Sequence, residues 1–221
     1  MARTLTSGTI FAIASTYGTS VAMSALTNAA EAVATLGASH GVVVGDYLEL
    51  TSGWGRLNGR IVRAKTVATN DVTLEGINTV ATANFPAGQG IGSIRRIAAA
   101  TGWTNLSQVR ADGISSSGGE QQFIDLTEVD DEDSREAPTI RSPQRLNLIT
   151  HDDITLPWYA TVLAADNAKT PVGLLITFRN GSKLVANATW SIARVPQIGG
   201  NDVLKTPISL AFSAQPVRYA T

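Results

Sequence analysis

From Thr9 to Thr16 apolar side chains occupy both parities of an extended chain, with Ile10, Ala12 and Ala14 on one face and Phe11 and Ile13 on the other. A strand apolar on both faces belongs inside a sandwich or at a contact between subunits. From about Ala25 to Ile97 the pattern becomes short strands at tight spacing. Val42-Val43-Val44 leads into Gly45-Asp46, Tyr47 to Thr51 alternates, Ser52-Gly53-Trp54-Gly55 turns, and Arg60 to Val67 alternates again before the turn Asn70-Asp71 and the run Val72 to Gly76. Strands of five or six residues joined by tight loops make a small barrel or sheet of their own.

Beyond Gly102 come Leu106 to Ile114, the flexible run Ser115 to Gly119, a strand from Glu120 to Val129, the acidic run Asp130-Asp131-Glu132-Asp133 and a further strand from Ile140 to His151. Thr155 to Lys169 predicts the one helix. Thr155 stands as its cap, Pro157 suits its first turn, Leu156, Tyr159, Ala160, Leu163 and Ala164 form its apolar face, and Pro171 closes it. Three more strands, Leu174 to Phe178, Leu184 to Val195 and Ile208 to Val217, end the chain, the first two joined by the hairpin signal Asn180-Gly181. The fold class is therefore mainly β.

Composition narrows the chemistry. The 221 residues are 43% hydrophobic and 16% charged, enough apolar material for a core. Lys plus Arg number 17 against 18 Asp plus Glu, so no global charge draws the chain onto nucleic acid or a membrane surface, and no apolar run approaches the ~20 residues of a membrane span. Met1 to Ala14 weakly mimics an export signal, but Thr4, Thr6, Ser7 and Gly8 dilute its apolar stretch. There is no Cys and only His40 and His151, which leaves nothing for a thiolate nucleophile, a zinc finger or a His-rich metal centre and little for a Ser-His-Asp triad. Gly88-Gln89-Gly90-Ile91-Gly92 lacks the spacing of a dinucleotide loop and reads as a turn. An EF-hand starting at Asp131 would need glycine where Glu136 stands. Glu120 and Asp125 lie at odd spacing on a strand, so they do not converge as a glycosidase pair. The reading is no enzyme, no cofactor and no metal site.

Charge is unevenly placed. Between Glu120 and Asp153 ten acids face three arginines, whereas from Ile154 onward six bases face two acids. Surfaces of opposite sign are expected to meet within or between subunits.

Two stretches carry a resemblance. Leu26 to Val33, Ser39-His40-Gly41, Val44-Gly45-Asp46, Leu57-Asn58-Gly59-Arg60 and Leu74-Glu75-Gly76 follow the order of a small β module recurrent in bacteriophage tail proteins. The remainder, including Ser117-Gly118-Gly119-Glu120, the acidic run, Arg179-Asn180-Gly181-Ser182 and Pro216 to Ala220, resembles the major tail tube protein of long-tailed, siphovirus-type phages. The resemblance implies a tail-tube β-sandwich with one flanking helix, built from residues 1–24 and 98–221, with residues 25–97 as an inserted module on the tube exterior. It also implies hexameric rings stacked into a hollow tube in the virion, assembled in the host cytoplasm. Expected partners are the chain itself, the tape-measure protein and double-stranded DNA in the lumen, and the tail terminator and distal tail proteins, with no membrane. A minor tail or tail-completion protein, or a carbohydrate-binding adhesin domain of a tail tip, is the alternative.

A conduit for DNA should not grip it, because every fixed Lys or Arg on a phosphate adds affinity. The strands Glu120 to Val129 and Ile140 to His151 carry a polar alternation and are the expected inner barrel, with Gln121, Asp125, Thr127, Arg145 and Asn147 facing the lumen. The loop Glu128, Asp130, Asp131, Glu132, Asp133, Arg135 and Glu136 is expected at a contact between rings or neighbouring subunits. The insert, with six bases and five acids, is expected to be excisable without loss of the remaining core.

Overall fold

The computed structural model of the chain, which describes residues 7–200 and 202–220, turns these alternations into sixteen strands and one helix among the described residues. The two-faced segment forms β1 (Ile10–Ala14). There follow β2 (Ser20–Leu26), β3 (Val33–Leu36), β4 (Tyr47–Ser52), β5 (Ile61–Ala68), β6 (Asp71–Leu74) and β7 (Gly92–Ile97), which close a barrel in the order β2-β3-β6-β5-β4-β7. Closure leaves this sheet without an unpaired edge. The boundary expected between residues 24 and 25 falls inside β2. Three of the strands, β2, β3 and β7, lie where no strand is predicted: Ala and Ser fill four of the seven positions of β2, β3 is only four residues long, β7 carries Gly92 and two arginines, and barrel closure completes their pairing.

The rest of the chain supplies β8 (Trp103–Leu106), β9 (Ser115–Ser117), β10 (Gln121–Asp125), β11 (Glu136–Arg141), β12 (Arg145–His151), α1 (Pro157–Ala168), β13 (Val172–Thr177), β14 (Lys183–Ile192), β15 (Lys205–Phe212) and β16 (Val217–Tyr219). A large antiparallel sheet runs β8-β1-β13-β14-β15-β12-β9, with β16 on β14. The predicted hairpin is present: Asn180 and Gly181 join β13 to β14, with Gly181 at φ 82° and the Asn180 carboxamide oxygen accepting from the Ser182 amide and hydroxyl. The predicted strand Ile208 to Val217 is two strands, broken before Pro216.

β1 owes its two apolar faces to two different covers. Phe11 and Ile13 enter a core with Leu148, Trp158, Val162, Leu174, Trp190 and Ile208, under α1. Ala12 and Ala14 enter a second core with Leu175, Val185, Val217 and Tyr219 of the sheet and the apolar residues of the barrel. The barrel therefore packs on the sheet and shares a core with it. Gly173 permits the approach: a Cβ there would lie 2.9 Å from Ile61 of the barrel and 3.1 Å from Ala14.

A polar seam runs along the same junction. Glu49 of β4 accepts from the Asn187 amide of β14 at 2.8 Å and pairs with Arg95, whose guanidinium stacks 4.5 Å over the Tyr17 ring. The Tyr17 hydroxyl accepts from the Gly173 amide, and the Tyr219 hydroxyl accepts from the Arg63 amide. Burial pushes the Tyr17 and Tyr47 phenols up to about 12 and raises Tyr219 still further.

The helix departs from its predicted detail. Its buried residues are Trp158, Val162, Ala165 and Asp166, and Ala160 and Ala164 are exposed. Trp158 decides the rotation: its indole is the largest apolar surface on the segment, and its Nε1 donates to Ser107. Leu156 holds the cap position with no side-chain bond, while the Thr155 hydroxyl donates instead to Asp153. Pro157 begins the helix, and the left-handed Lys169 ends it before Pro171.

Candidate assembly surfaces

The segment from residue 115 to residue 151 builds two surfaces. β9 pairs with β12 in the large sheet, and β10 pairs with β11 as a separate two-stranded ribbon. The predicted strand Glu120 to Val129 is regular only over β10. The predicted strand Ile140 to His151 is cut at Ser142-Pro143-Gln144, because proline removes a ladder donor, and its two pieces lie in different sheets. Gly118 and Gly119 match this break on the other strand at φ 79° and 83°. A Cβ on Gly118 would fall 1.9 Å from the Pro143 carbonyl oxygen, so only glycine fits.

The ribbon ends in the acidic loop, which its own backbone holds in shape. The Asp125 carboxylate accepts from the Thr127 amide and hydroxyl, and these bonds hold it below the usual carboxylate range. Asp131 accepts from the Glu128 amide and pairs with Arg135 at 2.9 Å, and the Arg135 amide donates to the Thr127 hydroxyl. Glu128, Asp130, Glu132, Asp133 and Glu136 face solvent with no ion pair among the described residues. Gln121 lies at the base of the ribbon, its amide donating to the Gln122 and Thr139 carbonyls.

The ribbon also exposes large apolar side chains. Phe123, Ile124, Leu126 and Ile140 are each more than half exposed, and so is Val129 in the loop. Reading the sequence as a polar alternation passed over them. The signal was present in Phe123-Ile124, which places apolar groups on both faces just as β1 does.

The second surface is a strip across the large sheet. On β12, Leu146, Leu148 and Thr150 point into the core, so Arg145 and Asn147 share the opposite face. Their cross-strand partners are Ser117 and Ser115 on β9 and Ala211 and Ser209 on β15, which in turn pair with Thr189 and Ser191 on β14. The strip holds one charge among small, mostly polar side chains. Of the five expected lumen residues, Arg145 and Asn147 lie here together, and Gln121, Asp125 and Thr127 lie on the ribbon and its loop.

No group of three or more His, Asp or Glu that could hold a metal ion occurs among the described residues, and Trp54, Trp158 and Trp190 are fully buried. The loop Gly88 to Gly92 packs on Trp54, where a Cβ on Gly90 would sit 2.9 Å from the indole.

No curated protein sequence matches this chain. A chain of a solved structure described as the cryo-EM structure of the anti-feeding prophage (AFP) baseplate, 6-fold symmetrised, is similar over 53% of this chain and 84% of its own, at 10% identity and a TM-score of 0.38. The family description "Phage tail tube protein, TTP" matches residues 52–221, from the end of β4 through the ribbon and the strip to the last strand. With more than three quarters of its length so matched, on a mainly β fold with one α-helix, the chain belongs to the phage tail tube protein family and is a structural component of the virion tail.

Proposed function

We propose that the chain forms hexameric rings that stack into the hollow tail tube, the passage for the tape-measure protein and double-stranded DNA, capped by terminator and distal tail proteins and assembled in the host cytoplasm. The observation that carries this reading is the strip Ser115, Ser117, Asn147, Ser191 and Ser209. It is a hydroxyl-rich strip with Arg145 as its single charge, and Lys205, further along the same face, is paired with Asp202. Such a face hydrates well and offers a passing duplex almost no fixed cation, so it permits sliding. Arg145 and Asn147 are its lumen residues.

The barrel belongs on the outside of the tube. The strip and the barrel contact both lie on the face of the sheet turned away from the core under α1, the barrel over β1, β13 and β16 and the strip over β9, β12 and β15. The sheet curls between them, because Phe11 of β1 and Phe212 of β15 line one groove, so the two surfaces face apart. The acidic loop, at the end of a projecting ribbon, is placed to reach the next ring or the next subunit.

Electron microscopy of the purified, concentrated protein tests the reading. Hollow tubes of sixfold rings are expected, whereas a stable monomer by sedimentation up to millimolar concentration would overturn it. Single closed rings without growth would point to a tail-completion role.

A further inference from the structure

The curl of the large sheet leaves one end of its core open. Along β14, helix α1 occupies the C-terminal end, where Arg194 reaches Asp166 and Asn167. Toward Leu184, at the other end, the core opens into a groove of about 350 Å³ between the two limbs of the sheet. Phe11, Ile176 and Leu184 form one wall and Leu146 and Phe212 the other, with Ser116 at the rim. Arg218 borders it, its guanidinium stacked 4.8 Å over the Phe178 ring.

We propose that this groove receives the β10–β11 ribbon of a second copy of the chain, with ribbon side chains such as Phe123 and Ile124 on the apolar floor and the acidic loop toward the bordering Arg218. The proposal rests on the assembly reading and names the partner surface of the ribbon. Two matches carry it. The ribbon leaves large apolar side chains uncovered, and the groove is an uncovered apolar floor, so each completes the other. Charge agrees: Glu120 to Glu136 carries eight acids and one arginine, while Arg218 lies at the groove. Arg218 has no ion-pair partner among the described residues.

The ribbon does not fill its own groove. β10 and β11 pack on each other, and no residue from Gly118 to Arg141 lines the cavity. The five paired residues of β10 alone extend about 17 Å, so the loop at their end lies well away from the sheet. Ribbon and groove are different patches, so the contact is head-to-tail. Such a contact closes into a ring or runs on as a filament according to its rotation.

The absence of cysteine allows a direct test. Full-length Ile124→Cys protein, and separately Phe123→Cys protein so that both ribbon faces report, is mixed with Ser116→Cys protein, assembled and treated with a short bismaleimide. Covalent dimers joining the two variants are expected, and a ladder of higher multimers from the Ile124→Cys/Ser116→Cys double variant. Products joining position 124 only to 124, or a 124–116 link within one molecule, would overturn the proposal. So would a link within one molecule between Leu5→Cys and Ser116→Cys, which assigns the groove to the N-terminal residues. Arg218→Glu is expected to raise the concentration needed for assembly at least tenfold with the subunit's thermal midpoint unchanged, and unaltered assembly would count against the groove. If tubes form without a 124–116 product, the groove assignment fails and the assembly reading stands. If the unsubstituted chain does not assemble, both fall.

Discussion

The barrel–sheet junction and the β10–β11 ribbon both begin as apolar residues that their own elements cannot bury, and the chain treats them in opposite ways. At the junction Ala12, Ala14, Leu175, Val185 and Tyr219 meet the barrel, and a polar seam of Glu49, Asn187, Arg95 and Tyr17 fixes the register. On the ribbon Phe123, Ile124, Leu126 and Ile140 are left more than half exposed. The first surface is completed within the molecule and contributes to its stability. On the proposed assembly the second is completed by another copy, so its residues should affect assembly and leave the subunit intact. Substitutions in the two regions should separate along that line.

Excision of residues 20–97 tests the junction most severely. It uncovers one whole face of β1, β13 and β16, so a product without a cooperative thermal transition is expected. A cooperative, soluble remnant would show the sheet to be self-sufficient and return the barrel to the status of a removable module.

Alkaline pH attacks the same place. Tyr17 and Tyr47 are pushed up to about 12 by burial, from an ordinary value of 10.0. In the unfolded chain they ionise near pH 10, while in the folded chain they stay protonated to about pH 12, so the folded state holds more protons between these values. Stability is therefore full below pH 10 and falls as pH rises to about 12, by an amount of the order of 2 kcal/mol per phenol. Denaturant midpoints measured across that range check it, and Tyr17→Phe should flatten the slope.

Asn187→Leu removes the amide that Glu49 accepts from and leaves a nearly buried carboxylate short of a partner. A loss of about 1–3 kcal/mol in urea unfolding is expected, with assembly retained under conditions where the variant is folded. No loss would mean that Arg95 alone satisfies Glu49.

The smallest effect on the subunit belongs to the acidic loop. Changing Asp130, Asp131 and Asp133 together to Lys should shift stability by no more than about 0.5 kcal/mol, since only Asp131 has a partner, and yet block tube growth in electron micrographs. Normal tubes from this variant would show the loop to be solvated and stacking to be carried elsewhere.

Local chemistry made much of this legible in the sequence. The two-faced alternation of Ile10 to Ala14, the Asn180-Gly181 turn and the Pro157 and Pro171 limits of the helix act over a few residues, so the elements formed where the pattern put them. Of the candidate surfaces, the acidic loop was legible as charge, but its internal bonds through Asp125, Thr127 and Asp131 were not, since they depend on the turn's geometry. Other features were decided only at long range. Nothing local says that Trp158 outweighs Leu156 and Leu163 in turning the helix, because that depends on Ser107 lying fifty-one residues away. Nothing local makes strands of the Ala- and Ser-rich β2, the four-residue β3 or the arginine-bearing β7, whose pairing exists only once the barrel closes. Nor does alternation reveal that Pro143 divides one apparent strand between the ribbon and the sheet, since the first half pairs with β10 and the second with β9 and with β15, which lies some sixty residues further on. Sequence fixes which residues prefer to be buried or extended, and the tertiary structure decides against what, because apolar burial has no direction of its own until the other surface is in place.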